Sequence, residues 1–420
     1  MEKISELSDD LLIKILSLIP TKDAVAMSVI SKRWMSLWTL VPRLVFDDYS
    51  EEDVETNKNH DRSLSQFVSG TLLLHKAVVL ESFHLKIASE CSASEIGLWV
   101  RIVVDRFVRD LKISFYDHGL VKLPSRLFRC ETIETLELTR VTVFEVPSRF
   151  SFRSLKKLSL LYVKYPDEES FCRLISNCPI LEDLYVETCE KDNVVTYIVN
   201  VASLQILSIG DLLIESADEV FVIHSHSLKQ LNINDYSGEL NLIGNLPKLV
   251  EANLQSSSHH AKVLESVTFV KRLSLCLEEE AQYPIGAVLF QLLRLELCSC
   301  EDNWTNILVS VLQHSPKLQV LKLYLNQNHS DLDVVREVCW IQPERVPECM
   351  LFHLKTFEWR NYGGTQVEKE VAIYILKNAR QLSTASIFYP DSVNLVDKLK
   401  MFEELEIATR SSRACELTMG

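Results

Sequence analysis

The residues nearest to a reactive constellation are two cysteines, Cys298 and Cys300, in the stretch "LELCSCED". A thiolate pair at that spacing suggests zinc, but zinc takes four ligands from paired clusters, and no second CxxC or HxxxH stands at a suitable distance along the chain. "HSH" at His224 to His226 and "SSSHHAK" around His259 and His260 place imidazoles in segments with loop composition, without a carboxylate or cysteine at an obvious ligand spacing. Gly363 and Gly364 form a bare "YGG" turn without the flanks of a phosphate loop, and ten glycines in 420 residues leave little room for another. The sequence contains no GxSxG, HExxH, P-loop or dinucleotide-binding pattern. No catalytic residue, metal ligand or cofactor-binding residue is therefore expected, and the chain reads as one that works by contact rather than as an enzyme.

Composition narrows the kind of contact. A formal net charge of -14 argues against a nucleic-acid partner, because phosphate affinity is built from clustered cations. With 47% apolar residues the chain can bury a sizeable core. It starts with acidic, helix-capping residues where an export signal needs a basic start and an apolar centre, and no apolar run approaches the roughly 20 residues of a membrane span. Neither secretion nor a membrane is expected. Eleven cysteines, odd in number and scattered, read as reduced thiols in the cytoplasm, the nucleus or both.

The elements that must position a contact surface begin with "SDDLLIKILSLIPTK", Ser8 to Lys22, which reads as a helix of about three turns stopped by Pro20. At 100° per residue Leu11, Leu12, Ile15, Leu16, Leu18 and Ile19 fan over roughly 160°, widened by Ile13, and that stripe is too wide for one small neighbour to cover. Thr21 or Asp23 can cap a second short helix, Ser31 in "SKRWMSLW" a third, and Pro42 ends the set. Asp47 to Gln66 is polar and acidic without a sustained period, and reads as a solvated linker.

Beyond the linker the chain repeats itself. The pattern apolar-x-x-apolar-x-apolar starts at Leu80, Val108, Ile133, Leu155, Leu181, Leu204, Leu228, Leu249, Val270, Leu292, Leu318, Leu354 and Leu382, mostly 21 to 28 residues apart with one gap of 36. Each unit supplies a short strand whose apolar face needs its neighbours to be buried, and the period is that of leucine-rich repeats. The fold class is therefore α/β: a leucine-rich-repeat solenoid, a horseshoe with parallel strands on the concave face and helices outside. Within each unit Cys300, Cys189 and Asn326 occupy the ninth position, where a side chain bonds the backbone of the turn; ladder residues explain these cysteines better than metal does. The segments "RLISNCPIL", "SVLQHSPKL" and "YILKNARQL" align as helices closing before the next strand.

In such a strand the residues flanking the core leucines face the concave side. The register predicts one polar ribbon including Glu137, Ser159, Tyr185, Ser208, Asn232, Asn253, Ser274, Glu296, Lys322 and Glu358. It is mixed in sign, and it is the candidate surface for a protein substrate.

The opening, Ile4 to Trp38, resembles the plant F-box, whose pattern of Leu-Leu, Ile-Leu-Ser, Leu-Pro-Thr-Lys, Ala-Val, Ser-Lys-Arg-Trp and Leu-Trp is matched by Leu11, Leu12, Ile15, Leu16, Pro20, Thr21, Lys22, Ala24, Val25, Ser31, Lys32, Arg33, Trp34, Leu37 and Trp38. Trp340, Pro343 and Val346 to Leu382 are similar to the FBD module that closes many plant F-box proteins, and "RSSRACELTM" from Arg410 resembles its usual ending. The resemblance divides the chain into an F-box at 1–46, an acidic linker and lead-in helix at 47–70, leucine-rich repeats at 71–339, and an FBD module continuing the repeat stack at 340–420.

What the resemblance implies is an adaptor role without an active site: the F-box docks a Skp-type adaptor and through it a cullin-RING ubiquitin ligase, while the repeats hold a protein substrate. On that reading Leu7, Ser8, Leu11, Leu12, Ile15 and Leu16 contact the adaptor, together with Trp34, which with Trp38 also serves the module's own core. Lys32 and Arg33 support the third helix. One departure stands out: the family's Leu-Pro-Asp is Leu7-Ser8-Asp9 here, which preserves the helix start and removes the proline's rigid apolar contact, so weaker docking is expected. Two alternatives stay open. One is an interaction scaffold that recruits no ligase; the other is a small-molecule-gated receptor, which needs a basic floor, for which Lys157, Arg272, Arg294, Lys322 and Arg360 are the candidates.

Overall fold

The computed structural model describes residues 7–29, 31–48, 61–88, 91–116, 121–143, 145–188, 193–210, 220–235, 241–244, 246–256, 267–277, 288–299, 304–325 and 339–420. They fall into two compact units, Met1–Leu204 and Gln205–Gly420.

The first unit opens with three short helices: α1, Asp9–Leu16; α2, Thr21–Ala26; and α3, Trp34–Leu37. Asp9 and Asp10 lie in the first turn of α1 and Lys14 in its last, each suited to the helix dipole. The helix is shorter than expected. It ends at Leu16 because Ser17 caps back onto Ile13, its hydroxyl donating to the Ile13 carbonyl at 2.7 Å, and the chain then tightens through Leu18 N–H to Ile15 O. The expected caps are also corrected. Ser8 holds the first cap position but its hydroxyl accepts no helix N–H. Pro20 precedes α2, and Thr21 is buried with its hydroxyl accepting from Val45 N–H at 2.7 Å. Arg33, not Ser31, precedes α3.

The chain then enters a ladder of parallel strands: β1, Arg43–Asp47; β2, Ser82–Ile87; β3, Asp110–Phe115; β4, Thr135–Thr139; β5, Lys157–Leu161; and β6, Asp183–Glu187. Each pairs in parallel with the next, in a register that aligns Val45, His84, Lys112, Glu137, Ser159 and Tyr185 in one row. The alternate residues, such as Phe83, Leu111, Leu136, Leu158 and Leu184, are buried. β1 comes earlier than the repeat pattern indicated. Val41, Leu44 and Phe46 carry the same spacing, and all three are buried. Thr21 occupies the Val45 N–H, so the helical module covers the first strand of the stack.

Between strands run α4, Asp61–Leu74, α5, Ala93–Asp105, and α6, Ser170–Ser176. α5 begins at a capping box between Ser92 and Glu95, and fully buried Trp99 donates its indole N–H to Ser69 on α4 at 2.9 Å. Lys76 N–H reaches Thr39 O at 2.7 Å, and His75 donates from Nε2 to Val41 O at 2.8 Å while its Nδ1 accepts from Arg106 at 2.8 Å. These bonds fasten the helical module to the ladder.

The second unit repeats the arrangement with β7, Ile206–Ile209; β8, Gln230–Asp235; β9, Glu251–Ser256; β10, Arg272–Leu277; β11, Arg294–Cys298; β12, Val320–Tyr324; β13, Thr356–Arg360; β14, Thr384–Ile387; and β15, Glu416–Met419. The pairings are again parallel. Their row is Ser208, Asn232, Asn253, Ser274, Glu296, Lys322, Glu358, Ser386 and Thr418. The outer segments include α7, Trp304–His314, α8, Glu348–Phe352, α9, Gln366–Asn378, and α10, Leu395–Glu406. Gly364, in the "YGG" turn, has φ 71, and a Cβ there would lie 2.7 Å from Met401 Sδ on α10. The turn is glycine because the backbone is left-handed and a helix is seated on it. A large parallel-strand sheet without a barrel, following the N-terminal helices, is the solenoid class read from the sequence.

Candidate functional site

The helical module closes its own core with Leu12, Leu16, Ala24, Trp34, Leu37, Trp38 and Val41, against which Leu7, Ile13, Ile19, Val25 and Met27 pack. This corrects part of the assigned contact surface. Leu12 and Leu16 are 0% and 1% exposed and Trp34 is buried, so these three hold the module together and present nothing to a partner. The physical reason is period: at 100° per residue a stripe as wide as that of α1 has two sides, and the packing of α3 claims the side carrying Leu12 and Leu16.

The other side stays in solvent. Leu11 is 49% and Ile15 42% exposed, one turn apart on α1 and therefore neighbours on its surface. Leu18, Val29 and Met35 are also exposed. Val29 and Met35 were not legible as contact candidates, since their exposure depends on how three short helices close on one another. Ser8 is exposed at φ -65 and ψ 155, the backbone a proline adopts. Arg33 fixes the start of α1: its guanidinium donates to the Leu7 carbonyl and the Asp9 carboxylate, both at 2.6 Å. Its role is thus to join the third helix to the first.

The ladder face is built from the opposite chemistry. All ten ribbon residues named from the sequence stand in the two register rows, and the rows extend to His84, Lys112, Ser386 and Thr418. Apart from exposed Thr418 their side chains are half-buried, and many bond along the row. Lys112 pairs with Glu137 at 3.0 Å, Asn232 donates to Ser208 at 2.8 Å, Asn253 donates to Asn232 at 2.7 Å, and Lys322 pairs with Glu358 at 2.8 Å. Burial alone would push the Glu358 carboxyl up, but Lys322 and Arg360 bond it from two sides and hold it below the usual carboxylate range.

The candidate basic floor takes a different form from the one sequence suggests. Lys157 pairs with Asp183 at 3.6 Å, Arg272 with Glu251 at 2.7 Å, Arg294 with Glu296, Lys322 with Glu358, and Arg360 with Glu358 at 2.5 Å. Each of the five cations already has a carboxylate. A polyanion would have to displace them.

Cys298 is buried beside Cys276 under Tyr324 and Leu325, and no group of three His, Cys, Asp or Glu side chains able to hold a metal occurs among the described residues. Cys189, Cys300, Asn326, His259 and His260 lie outside the described residues. His224 and His226 are exposed in the turn between Ile223 and β8. No described helix is long and apolar enough to cross a membrane.

Three families match consecutive parts of the chain: the F-box domain at residues 4–46, the LRR repeats of FBD-associated F-box protein At5g56370 at residues 96–249, and FBD at residues 342–387. Relatives match along its full length. F-box/FBD/LRR-repeat protein At5g56420 of Arabidopsis thaliana is 44% identical over 99% of this chain and 98% of its own. From the same plant, F-box/FBD/LRR-repeat protein At4g26340 is 41% identical over 99% of both chains, and FBD-associated F-box protein At5g56370 is 40% identical over 100% of both. Sequence similarity thus runs along the whole length of the chain, and this chain belongs to the F-box/FBD/LRR-repeat protein family.

Proposed function

We propose that this chain is the substrate-recognition subunit of an SCF-type (Skp-cullin-F-box) E3 ubiquitin ligase. The F-box docks a Skp-type adaptor, which joins it to a cullin-RING ligase, and the ladder face with the FBD module binds a protein substrate for ubiquitination in the cytoplasm or nucleus. The chain itself supplies contacts and no chemistry. The observation that carries the reading is the exposure of Leu11 and Ile15 on a module whose core is already closed by Leu12, Leu16, Trp34 and Trp38. A stable small module has no internal use for large apolar side chains in solvent, and burying them against a partner is favourable by roughly 25 cal/mol per Å².

Co-expression with a Skp-type adaptor tests it. Wild type is expected to co-purify with the adaptor, and Leu11→Asp combined with Ile15→Asp to be lost from the complex while its circular dichroism is unchanged. A scaffold that recruits no ligase is the competing outcome: its partners keep the same abundance when the proteasome is inhibited, whereas a ligase substrate accumulates. The carboxylate held by each of the five candidate cations favours a protein substrate over an anionic small molecule on the ladder face.

A further inference from the structure

Strand β15 pairs with β14 along one edge and with no strand along the other among the described residues. Its bonds to β14 use alternate residues: Glu416 N–H reaches Ser383 O and Gly420 N–H reaches Ile387 O, both at 2.9 Å. A parallel strand bonds a neighbour through every second residue, so Leu417 and Met419 turn both N–H and C=O away from β14. Neither has another hydrogen-bond partner among the described residues. The apolar layer of this turn is open as well. Met419 is exposed, and α10, buried only at Leu405, leaves Leu395, Val396 and Leu399 in solvent, with Ile407 just beyond its end. The end turn of a solenoid ordinarily shows solvent a polar outer face.

We propose that the free edge of β15 seats a second copy of this chain, the two β15 strands pairing antiparallel about a two-fold axis at Thr418. Register selects the occupant. With Thr418 opposite its symmetry mate, Leu417 of each copy stands opposite Met419 of the other, and residues so placed in an antiparallel pair exchange both of their bonds. Every outward N–H and C=O of Leu417 and Met419 is then satisfied at once. The two Thr418 side chains lie side by side, a favourable β-branched pair, and Glu416 falls opposite Gly420 rather than opposite another carboxylate. Topology closes the assembly. On β1 the Val45 N–H is already taken by the Thr21 hydroxyl, so a copy's β15 cannot run on into the β1 of the next, and end-to-end pairing stops at two chains. Charge permits it: the chain carries -14 in all, yet Leu395 to Met419 holds four Lys and Arg against five Asp and Glu, so the copies meet at nearly neutral ends. A two-fold axis perpendicular to the sheet keeps both α10 helices on one face, where the apolar side chains of one end turn cover those of the other. The inference goes beyond the ligase reading and does not depend on it.

Sedimentation of the purified full-length chain across micromolar concentrations, with cross-linking of single-cysteine substitutions, tests it. Wild type is expected to sediment as a dimer. Met419→Pro removes an N–H that faces away from β14, so it leaves the bonds to β14 intact and is expected to weaken dimerisation at least about tenfold at an unchanged unfolding temperature. Thr418→Cys is expected to form a disulfide between copies on mild oxidation, because directly opposed residues at that position bring their Cα atoms to about 4.5 Å. Glu416→Cys is expected to form none beyond the wild-type background, since the two copies of that residue stand about 13 Å apart along the strands. A chain that stays monomeric throughout, as it does if the edge serves a strand of a different protein, overturns the inference. So does a dimer that survives Met419→Pro, or one that cross-links as readily through residue 416 as through residue 418.

Discussion

On α1, Leu11 and Ile15 stand in solvent with nothing to bond, whereas on β11 to β13 the charged groups Arg294, Glu296, Lys322, Glu358 and Arg360 are each tied to a neighbour. The two surfaces hold their binding energy in different forms. Apolar side chains in water are ready to release free energy to any partner with a matching groove, without direction and almost without regard to salt. A row of paired charges has already used its electrostatics internally, so a ligand gains there only by shape and by matching the bonds it displaces. The difference suits one surface that meets a common partner and another that chooses among many.

The comparison breaks most readily on α1. Leu11→Asp with Ile15→Asp is expected to remove adaptor co-purification and leave the unfolding temperature near that of wild type. Leu16→Ala, on the buried side of the same helix, is expected to cost about 2–5 kcal/mol of stability through the cavity it opens, seen as a lower midpoint in urea. If both substitutions acted alike, the division of α1 into a core side and a contact side would be wrong.

Two titrations sharpen the comparison at intermediate size. His75 is neutral in the fold, since Nε2 donates to Val41 O and Nδ1 accepts from Arg106; burial lowers its pKa, the Val41 bond opposes this, and Arg106 lowers it further. The unfolded chain takes up a proton near the ordinary value of 6.5 while the folded chain does not. Stability is therefore expected to fall as the pH drops below 6.5 toward the folded value, and His75→Gln to remove that slope in urea titrations. Glu358 has the depressed value usual for a paired carboxylate, so its contribution is present above the unfolded carboxylate range and disappears as the pH falls through the lower folded value. Glu358→Gln is expected to cost about 0.2–1 kcal/mol at neutral pH, discounted for exposure, and less in high salt.

The smallest effect belongs to Ser8. Its backbone already has proline geometry and its hydroxyl caps nothing, so Ser8→Pro is expected to stabilise the chain by about 0.4–1 kcal/mol by restricting the unfolded state, and to raise adaptor recovery in a pull-down. Unchanged recovery would separate the missing proline from docking strength.

Much of this was legible in the amino-acid order. The thirteen strand positions follow from leucine spacing, because a repeat that buries one face leaves a period in the chain. Strand β1 escaped because Val41, Leu44 and Phe46 sit directly behind the third helix and Pro42 reads as a stop, although it is the Thr21 hydroxyl that ties this strand to the helices. β15 escaped because Ala414, Leu417 and Met419 make a weak match. The ribbon was readable residue by residue, since strands alternate strictly. What periodicity cannot show is which side of an over-wide apolar stripe a neighbour will claim: Leu12 and Leu16 share the stripe with Leu11 and Ile15 but lie in the core, beside Trp34, for which the sequence already indicates a core role. Partner choice among charges was equally hidden for Lys157 and Arg272, which look like part of a basic floor until the register brings Asp183 and Glu251 within bonding distance, whereas Glu296 stands two residues from Arg294 on the same strand.

Most direct is the affinity of the purified full-length chain for a Skp-type adaptor, measured by calorimetry for wild type and for Leu11→Asp with Ile15→Asp. The account predicts tight binding by wild type, little change between low and high salt, and no detectable heat for the double variant with its fold intact. Equal affinity of the two proteins would contradict it.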